Sequence, residues 1–388
     1  MIDLYRENVS EKFWQFERKP DAQLMTRAVQ LALPSLGFES GAQTEFDVLL
    51  NTLGEARFGD DHWQLSLPKR VYYTLKPFIP RKLIQVLRQL YSGDVKQVHT
   101  PNWPIDDRFV LFRMEVLRQL LSLSGGQAVQ YRQLWPEGRR FSFVLTHDIE
   151  TAAGQAYVRE IADLEEGLGF RSAYNFVLER YALDFSLMEE LRERGFEVGC
   201  HGVKHDGKLF SSQEEFSRRA AIINQKTKQY QMRGFRAPLT HRNPVWMQSL
   251  EIDYDESFFD TDPFEPIPGG AMSIWPYFLG RFVELPYTLV QDFSLTNILG
   301  ETTPLIWMEK VDFLRKYRGM ALLNSHPDYL KSPITYKVYA DFLAEMKKSA
   351  DYWHALPGDV ATWWKYRAGA EYQQSLATAA LQDGQLVI

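Results

Sequence analysis

Two histidines four residues apart, His201 and His205, sit in the run Glu197-Val-Gly-Cys-His-Gly-Val-Lys-His-Asp206. They follow a short apolar stretch, Phe196–Cys200, that reads as the end of a buried strand. Imidazoles at that spacing turn to one point when the chain coils just past the strand, which is the geometry a divalent metal needs. Alone, such a pair is as common in cores and on surfaces as in metal sites. A second cluster upstream, Phe141-Ser-Phe-Val-Leu-Thr-His-Asp-Ile-Glu150, ends another apolar strand in two carboxylates, Asp148 and Glu150. Two histidines and a carboxylate leave a coordination position open for water, the arrangement of a hydrolytic metal centre.

Elements able to bring these clusters together are visible from about Arg140 onward, where short apolar strands alternate with helical stretches. Phe141–Leu145, Ser172–Leu178, Phe196–Cys200, Gly234–Arg236 and Met320–Asn324 read as strands. Gln155–Glu166, Phe185–Arg194, Ser211–Tyr230, Pro304–Tyr317 and Tyr336–Ala350 read as helices, with Gly195 a C-cap and Ser-Ser-Gln-Glu an N-terminal signal. Repeated β-α units imply an α/β fold with a parallel sheet or barrel and helices outside. Both clusters, and His326 after Met320–Asn324, then fall at C-terminal strand ends, where such barrels carry their chemistry.

Residues 1–139 lack this rhythm and read as a helical N-terminal extension packed on the barrel, with a small strand pair at Phe46–Leu50 and His62–Leu65. Pro263–Pro276 reads as a long ordered loop, and 368–388 as a loose tail. Between Lys69 and Gly93 there are six basic residues and no acidic one, with Leu83, Ile84, Leu87, Leu90 and Tyr91 on one helical face. Such a helix either packs on the barrel with a solvated basic face or makes a peripheral membrane contact through 69–91.

The composition of the 388 residues is that of a globular protein, with a net charge of −6 that gives no reason to expect nucleic acid. Aromatic residues make up 14% of the chain, which suits a carbohydrate cleft and a large core equally. The single cysteine, Cys200, excludes an internal disulfide, and its strand parity places it in the core rather than on a metal. No apolar leader and no run of about 18 apolar residues is present, so the expected location is cytoplasmic, with the inner membrane face as the variant.

Three more motifs complete an ordered set. They are Gly234-Phe-Arg-Ala-Pro238, Glu284-Leu-Pro-Tyr-Thr-Leu-Val-Gln-Asp292 and Leu322-Leu-Asn-Ser-His-Pro327. With Thr146-His-Asp-Ile-Glu150 and His201–His205, and in this order, they resemble the polysaccharide deacetylases (carbohydrate esterase family 4, the NodB-homology fold). The resemblance covers about residues 140–367 and implies a distorted (β/α) barrel of about seven units. Tyr254–Glu265 and Asn324–Tyr329 resemble a bacterial sub-group found with surface-polysaccharide genes.

The resemblance implies roles. Asp148 matches the base that takes a proton from the attacking water, and Arg236 the arginine that keeps it ionised. Glu150, His201 and His205 match the metal ligands, and His326 the acid that protonates the leaving amine. The metal is expected to be zinc, with cobalt, nickel or manganese able to occupy the same ligands. Asp292 either biases His326 toward its protonated form or is a structural loop acid, and Asp206 either orients a ligand imidazole or caps a turn. Pro238 belongs to the third motif and lies near the site. His147 is expected to point into the strand packing, with a lesser claim on the site. Trp275, Trp307, Trp363 and Trp364 are expected in the core rather than on sugar faces. Two positions depart from the family pattern: Glu150 replaces the usual Asp, and Gly202 replaces the usual Ser or Thr after the first histidine.

The function expected from this set is hydrolysis of a C–N amide bond, N-deacetylation of a nucleotide-linked or lipid-linked N-acetylated sugar in surface-polysaccharide biosynthesis. Two other readings fit the motifs: an allantoinase-like or cyclic-imide hydrolase acting on a non-sugar bond, and an inactive glycan-binding barrel. All five motifs keep competent side chains, which argues against the last. Oligomeric state is not readable.

Overall fold

The computed structural model describes residues 2–37, 44–59, 62–65 and 102–388. The basic stretch 69–91 lies outside them. Twelve strands are described: β1 (Val129–Arg132), β2 (Phe141–Ile149), β3 (Ala173–Phe176), β4 (Glu197–Cys200), β5 (Gly234–Phe235), β6 (Tyr254–Asp255), β7 (Tyr277–Leu279), β8 (Phe282–Glu284), β9 (Met320–Ser325), β10 (Tyr352–His354), β11 (Leu376–Gln382) and β12 (Gln385–Val387).

Strands β9, β2, β3, β4, β5, β6 and β8 pair in that order, each parallel to the next. A parallel bridge between Leu289 and Leu323 brings the chain after β8 back to β9, so the sheet curls into a barrel. This is the expected α/β architecture of parallel strands with helices outside. It is distorted because β5 and β6 are only two residues long and because β10 shares an edge of β2 with β3. All nine residues of β2 are buried, as the central strand of a parallel sheet covered on both faces requires. The helices follow local signals. Ser212 caps Gln213–Gln229 by accepting from Glu215 N, Asp184 caps Phe185–Glu193 through Leu187 N, and Gly195 (φ +84°) takes the left-handed turn into β4.

The N-terminal residues pack on this barrel. The amide of Asn8 pairs with the edge of β7, donating to Phe278 O and accepting from Phe278 N, both at 2.8 Å. Glu55 and Arg242, both with fully buried side chains, form a two-pronged ion pair at 2.8 and 2.7 Å. Gly270 N adds a third bond to Glu55.

Two expectations fail. Phe46–Leu50 is not a strand: Glu45–Asn51 is a helix, and His62–Leu65 is turn and coil. The alternation of apolar residues is overridden by a capping box, in which Thr44 N donates to Asp47 Oδ2 at 2.8 Å and Asp47 N to Thr44 Oγ1 at 3.3 Å. The final residues are not loose. β11 and β12 form a hairpin whose first strand pairs antiparallel with β1. Its turn is Asp383-Gly384, both at positive φ (49° and 77°), as a two-residue hairpin loop demands. Among the described residues no helix is long and apolar enough to cross a membrane.

Candidate metal centre

Because the ring strands run in parallel, their C-terminal ends share one face, and the residues leaving those ends converge there. Glu150 follows β2, and His201 and His205 follow β4. Their ligand atoms all lie within 4.8 Å of one another. Glu150 Oε1 is 3.2 Å from His205 Nε2. His201 donates from Nδ1 to the Arg236 carbonyl at 3.0 Å, which leaves Nε2 carrying the lone pair. Burial holds the His201 imidazole down at about 4 against the pull of Asp148. Burial raises the Glu150 carboxyl, but His205 and the other imidazoles outweigh it and keep the acid well below the usual range. A carboxylate and a neutral imidazole are the forms a metal binds, so the donor set fits a divalent cation.

The segment that carries Glu150 is braced. Asp328 accepts from Glu150 N at 3.0 Å and from the Thr151 hydroxyl. Gly154 makes room for this carboxylate, since a Cβ there would lie 2.1 Å from Asp328 Oδ2. The glycine at 202 also has a structural reason. Its φ is +73°, and a Cβ would meet the Pro238 ring at 2.8 Å, so a Ser or Thr would not fit this turn. Pro238 thus contributes by packing against the loop that carries both histidines.

Beside these candidate ligands stands Asp148, only 2% exposed. Oδ1 accepts from Arg236 Nη1 (3.1 Å) and Asn175 Nδ2 (3.2 Å), and Oδ2 from Asn324 Nδ2 (3.0 Å). The same Arg236 nitrogen reaches Thr146 Oγ1 and Asn324 Oδ1, at 2.9 and 2.8 Å. Burial pushes the Asp148 carboxyl up, but the guanidinium and His201 override it and leave the group far below the normal range. Gly199 permits this arrangement: a Cβ on it would sit 2.0 Å from Asn175 Oδ1. Glu256, at the end of β6, also faces Arg236, and burial pushes its carboxyl up to about 7 against the pull of the guanidinium.

His326 comes from the end of β9. Its Nδ1 is 2.7 Å from Asp292 Oδ1, and its backbone N donates to Asp292 Oδ2 at 3.0 Å. Burial disfavours the imidazolium, but Asp292 outweighs it, and the ring is pushed up to about 9. At neutral pH the site therefore holds a carboxylate stripped of its proton and an imidazole that keeps one, the division of labour expected of an acid–base pair.

The other residues weighed for the site lie elsewhere. His147 turns to the outer face of β2, where its ring is 2.7 Å from Glu165 and 2.9 Å from the Ser325 hydroxyl, because adjacent residues of a strand face opposite ways. Asp206 does not touch a ligand imidazole. It accepts two bonds from Arg219, both at 2.8 Å, and one from Lys208 N at 3.0 Å. Trp275, Trp307, Trp363, Trp364 and Cys200 are buried in the core. Asn175 carried no sequence signal, and Thr146, Glu256, Asn324 and Asp328 were visible only as members of their motifs.

No protein-family model matches the chain, and no curated protein matches it. A solved structure described as a polysaccharide deacetylase from Mycobacterium smegmatis aligns with 63% of this chain and 96% of its own, at 17% identity and a TM-score of 0.50. A second so described, from Pseudomonas aeruginosa PAO1, covers 62% and 96% at 15% identity and a TM-score of 0.47. A structure of Puue allantoinase covers 62% and 95% at 14% identity and a TM-score of 0.47. The first alignment carries the fold: the chain shares the distorted barrel of that deacetylase structure.

Proposed function

We propose that this chain is a member of the polysaccharide deacetylase family, a metal-dependent amidohydrolase that removes an acetyl group from an N-acetylated sugar. One observation carries the reading. Three metal-competent donors converge beside an ionised, arginine-held Asp148 and a protonated, Asp292-held His326.

A divalent cation held by Glu150, His201 and His205, zinc by the donor set, would polarise the acetamide carbonyl and the attacking water. Asp148 accepts the proton that the water loses as its oxygen bonds to the carbonyl carbon. Arg236, Asn175 and Asn324 hold that carboxylate ionised and aimed. His326 gives its proton to the nitrogen as the C–N bond breaks, and Asp292 keeps the imidazole charged until then. The products are acetate and a free amine, with water consumed. The motif resemblance further supports a substrate of surface-polysaccharide assembly, linked to a nucleotide or a lipid at the cytoplasmic side. It also supports a division of the chain into an extension over 1–139, a barrel over 140–367 and a short terminal segment.

The test measures acetate released from UDP-N-acetylglucosamine and from N,N′-diacetylchitobiose, with allantoin ring opening as the competing reaction. Elemental analysis of the same protein is expected to find about one transition metal per chain, lost in the His201→Ala, His205→Ala double variant. Acetate release must vanish in Asp148→Asn and in His201→Ala; activity that survives both removes the mechanism. Ring opening without acetate release moves the enzyme to the cyclic-amide class.

A further inference from the structure

Arg236 faces two carboxylates, and the proposed reaction uses one of them. Its Nη1 donates to Asp148 Oδ1 at 3.1 Å. On the other side its Nη2 stands 3.5 Å from Glu256 Oε2, an ion pair without a hydrogen bond, and its Nε donates to the Glu256 backbone carbonyl at 2.8 Å. Asn175 spans the same gap, with Nδ2 at 3.2 Å from Asp148 Oδ1 and 3.1 Å from Glu256 Oε2. Glu256, Arg236 and Asn175 are all fully buried. The preceding Asp255 accepts from the Ser257 hydroxyl at 2.7 Å and from Ser257 N at 3.1 Å and acts on the guanidinium only at longer range, so of the two it is Glu256 that forms the ion pair.

Stability gives a poor account of this carboxylate. One guanidinium already neutralises Asp148, and a second buried acid on the same cation carries a desolvation cost that an amide or an apolar side chain would avoid. Its geometry gives a better one. A planar guanidinium gripped on one side only can pivot about its bonds, whereas one gripped on both sides presents Nη1 in a fixed direction. We propose that Glu256 is a positioning residue: its carboxylate accepts from Asn175 and pairs by charge with the far side of Arg236, and so fixes the direction in which both present their donors to Asp148. Its effect on turnover rests on the proposed deacetylation; the grip itself does not.

Two readouts separate these. In protein labelled with 15N-arginine, Arg236 is expected to show separate, slowly exchanging Nη signals, identified by their loss in Arg236→Lys. Glu256→Gln, which keeps the shape and removes the charge, is expected to speed that rotation about tenfold or more, and Glu256→Asp by less, because a shorter carboxylate still reaches part of the way. In acetate release from UDP-N-acetylglucosamine, Glu256→Gln is expected to lower kcat about tenfold with KM within about twofold, since misdirected donors weaken the reaction and not the binding. Its melting temperature is expected to hold or rise, whereas a merely structural role would lower it. Should Glu256→Gln fail to fold, Glu256→Asp carries the same measurements. Unchanged Arg236 signals in the folded variants overturn the inference whatever the activity. Faster rotation in a protein that releases no acetate keeps the grip and overturns the proposed reaction instead. Faster rotation with acetate release and an unchanged kcat overturns the positioning role.

Discussion

Replacing Asp292 by Asn tests the assignment of His326 without altering the shape of the site. The rise of that imidazole from an ordinary 6.5 to about 9 is the balance of burial, which opposes the charge, and of Asp292, which supplies most of the support for it. It corresponds to about 3 kcal/mol of preference for the imidazolium. With Asn at 292 the burial remains and the main support goes, so the ring should titrate at about 6.5 or lower. At pH 7.5 the protonated fraction then falls from nearly all to about a tenth or less. The descending limb of kcat/KM against pH, expected near 9 in the wild type, should move down by two units or more, and the rate at pH 7.5 should fall about tenfold or more. Stability gives a second readout of the same group. Because the folded value lies above the unfolded one, the contribution of His326 is complete below about 6.5 and is lost as pH rises through about 9. The melting-temperature gap between wild type and Asp292→Asn should therefore be widest near pH 6 and narrow steadily toward pH 9.5. A descending limb that stays in place in the variant, with the melting-temperature gap flat across this range, refutes the assignment of the proton to His326.

Three further outcomes are expected. Gly202→Ser forces a side chain into a left-handed turn and against the Pro238 ring, so it should destabilise by about 1–3 kcal/mol in urea titration and lower metal affinity, and wild-type stability would contradict the turn geometry. Arg242→Leu strands the buried Glu55 and should cost about 3–5 kcal/mol, with most of it recovered in the Arg242→Leu, Glu55→Leu pair; equal losses in both would show that the ion pair is not what matters. Removing metal with a chelator should lower the melting temperature, and zinc at 100 times its dissociation constant should restore about 2.7 kcal/mol. The His201→Ala, His205→Ala variant should respond to neither.

The candidate ligand residues and Asp148 stood out in the sequence because they lie at or shortly beyond the ends of apolar strands, and parallel strands deliver their ends to one face. The barrel was visible for the same reason, in the alternation after Arg140. The braces were not. Asn175 is a single amide inside a strand that nothing local marks, and Asn324 stood out only within its motif; their role depends on a neighbouring strand and, for Asn175, on the missing Cβ of Gly199. Of the two roles open to Asp206 the turn cap is the one observed: the carboxylate accepts from Lys208 N and swings to Arg219 rather than to a histidine, because adjacency in the chain is not adjacency in space. The helix at Glu45–Asn51 and the terminal hairpin were both written locally, in Thr44 with Asp47 and in Asp383-Gly384. In each case the turn chemistry decided the outcome over the apolar pattern.

The hydrogen bond between His147 and Ser325 has a further consequence. These residues are register partners in β2 and β9, and each immediately precedes a member of the site, Asp148 in one strand and His326 in the other. Successive residues alternate across a sheet, so the two strand tips are stitched together on the face opposite Asp148 and His326, with Glu165 and Tyr339 from the surrounding helices completing the stitch. The separation of the proposed base and acid is thereby gauged from the rear of the sheet. A search for altered catalysts confined to the cleft would miss the residues that set that spacing.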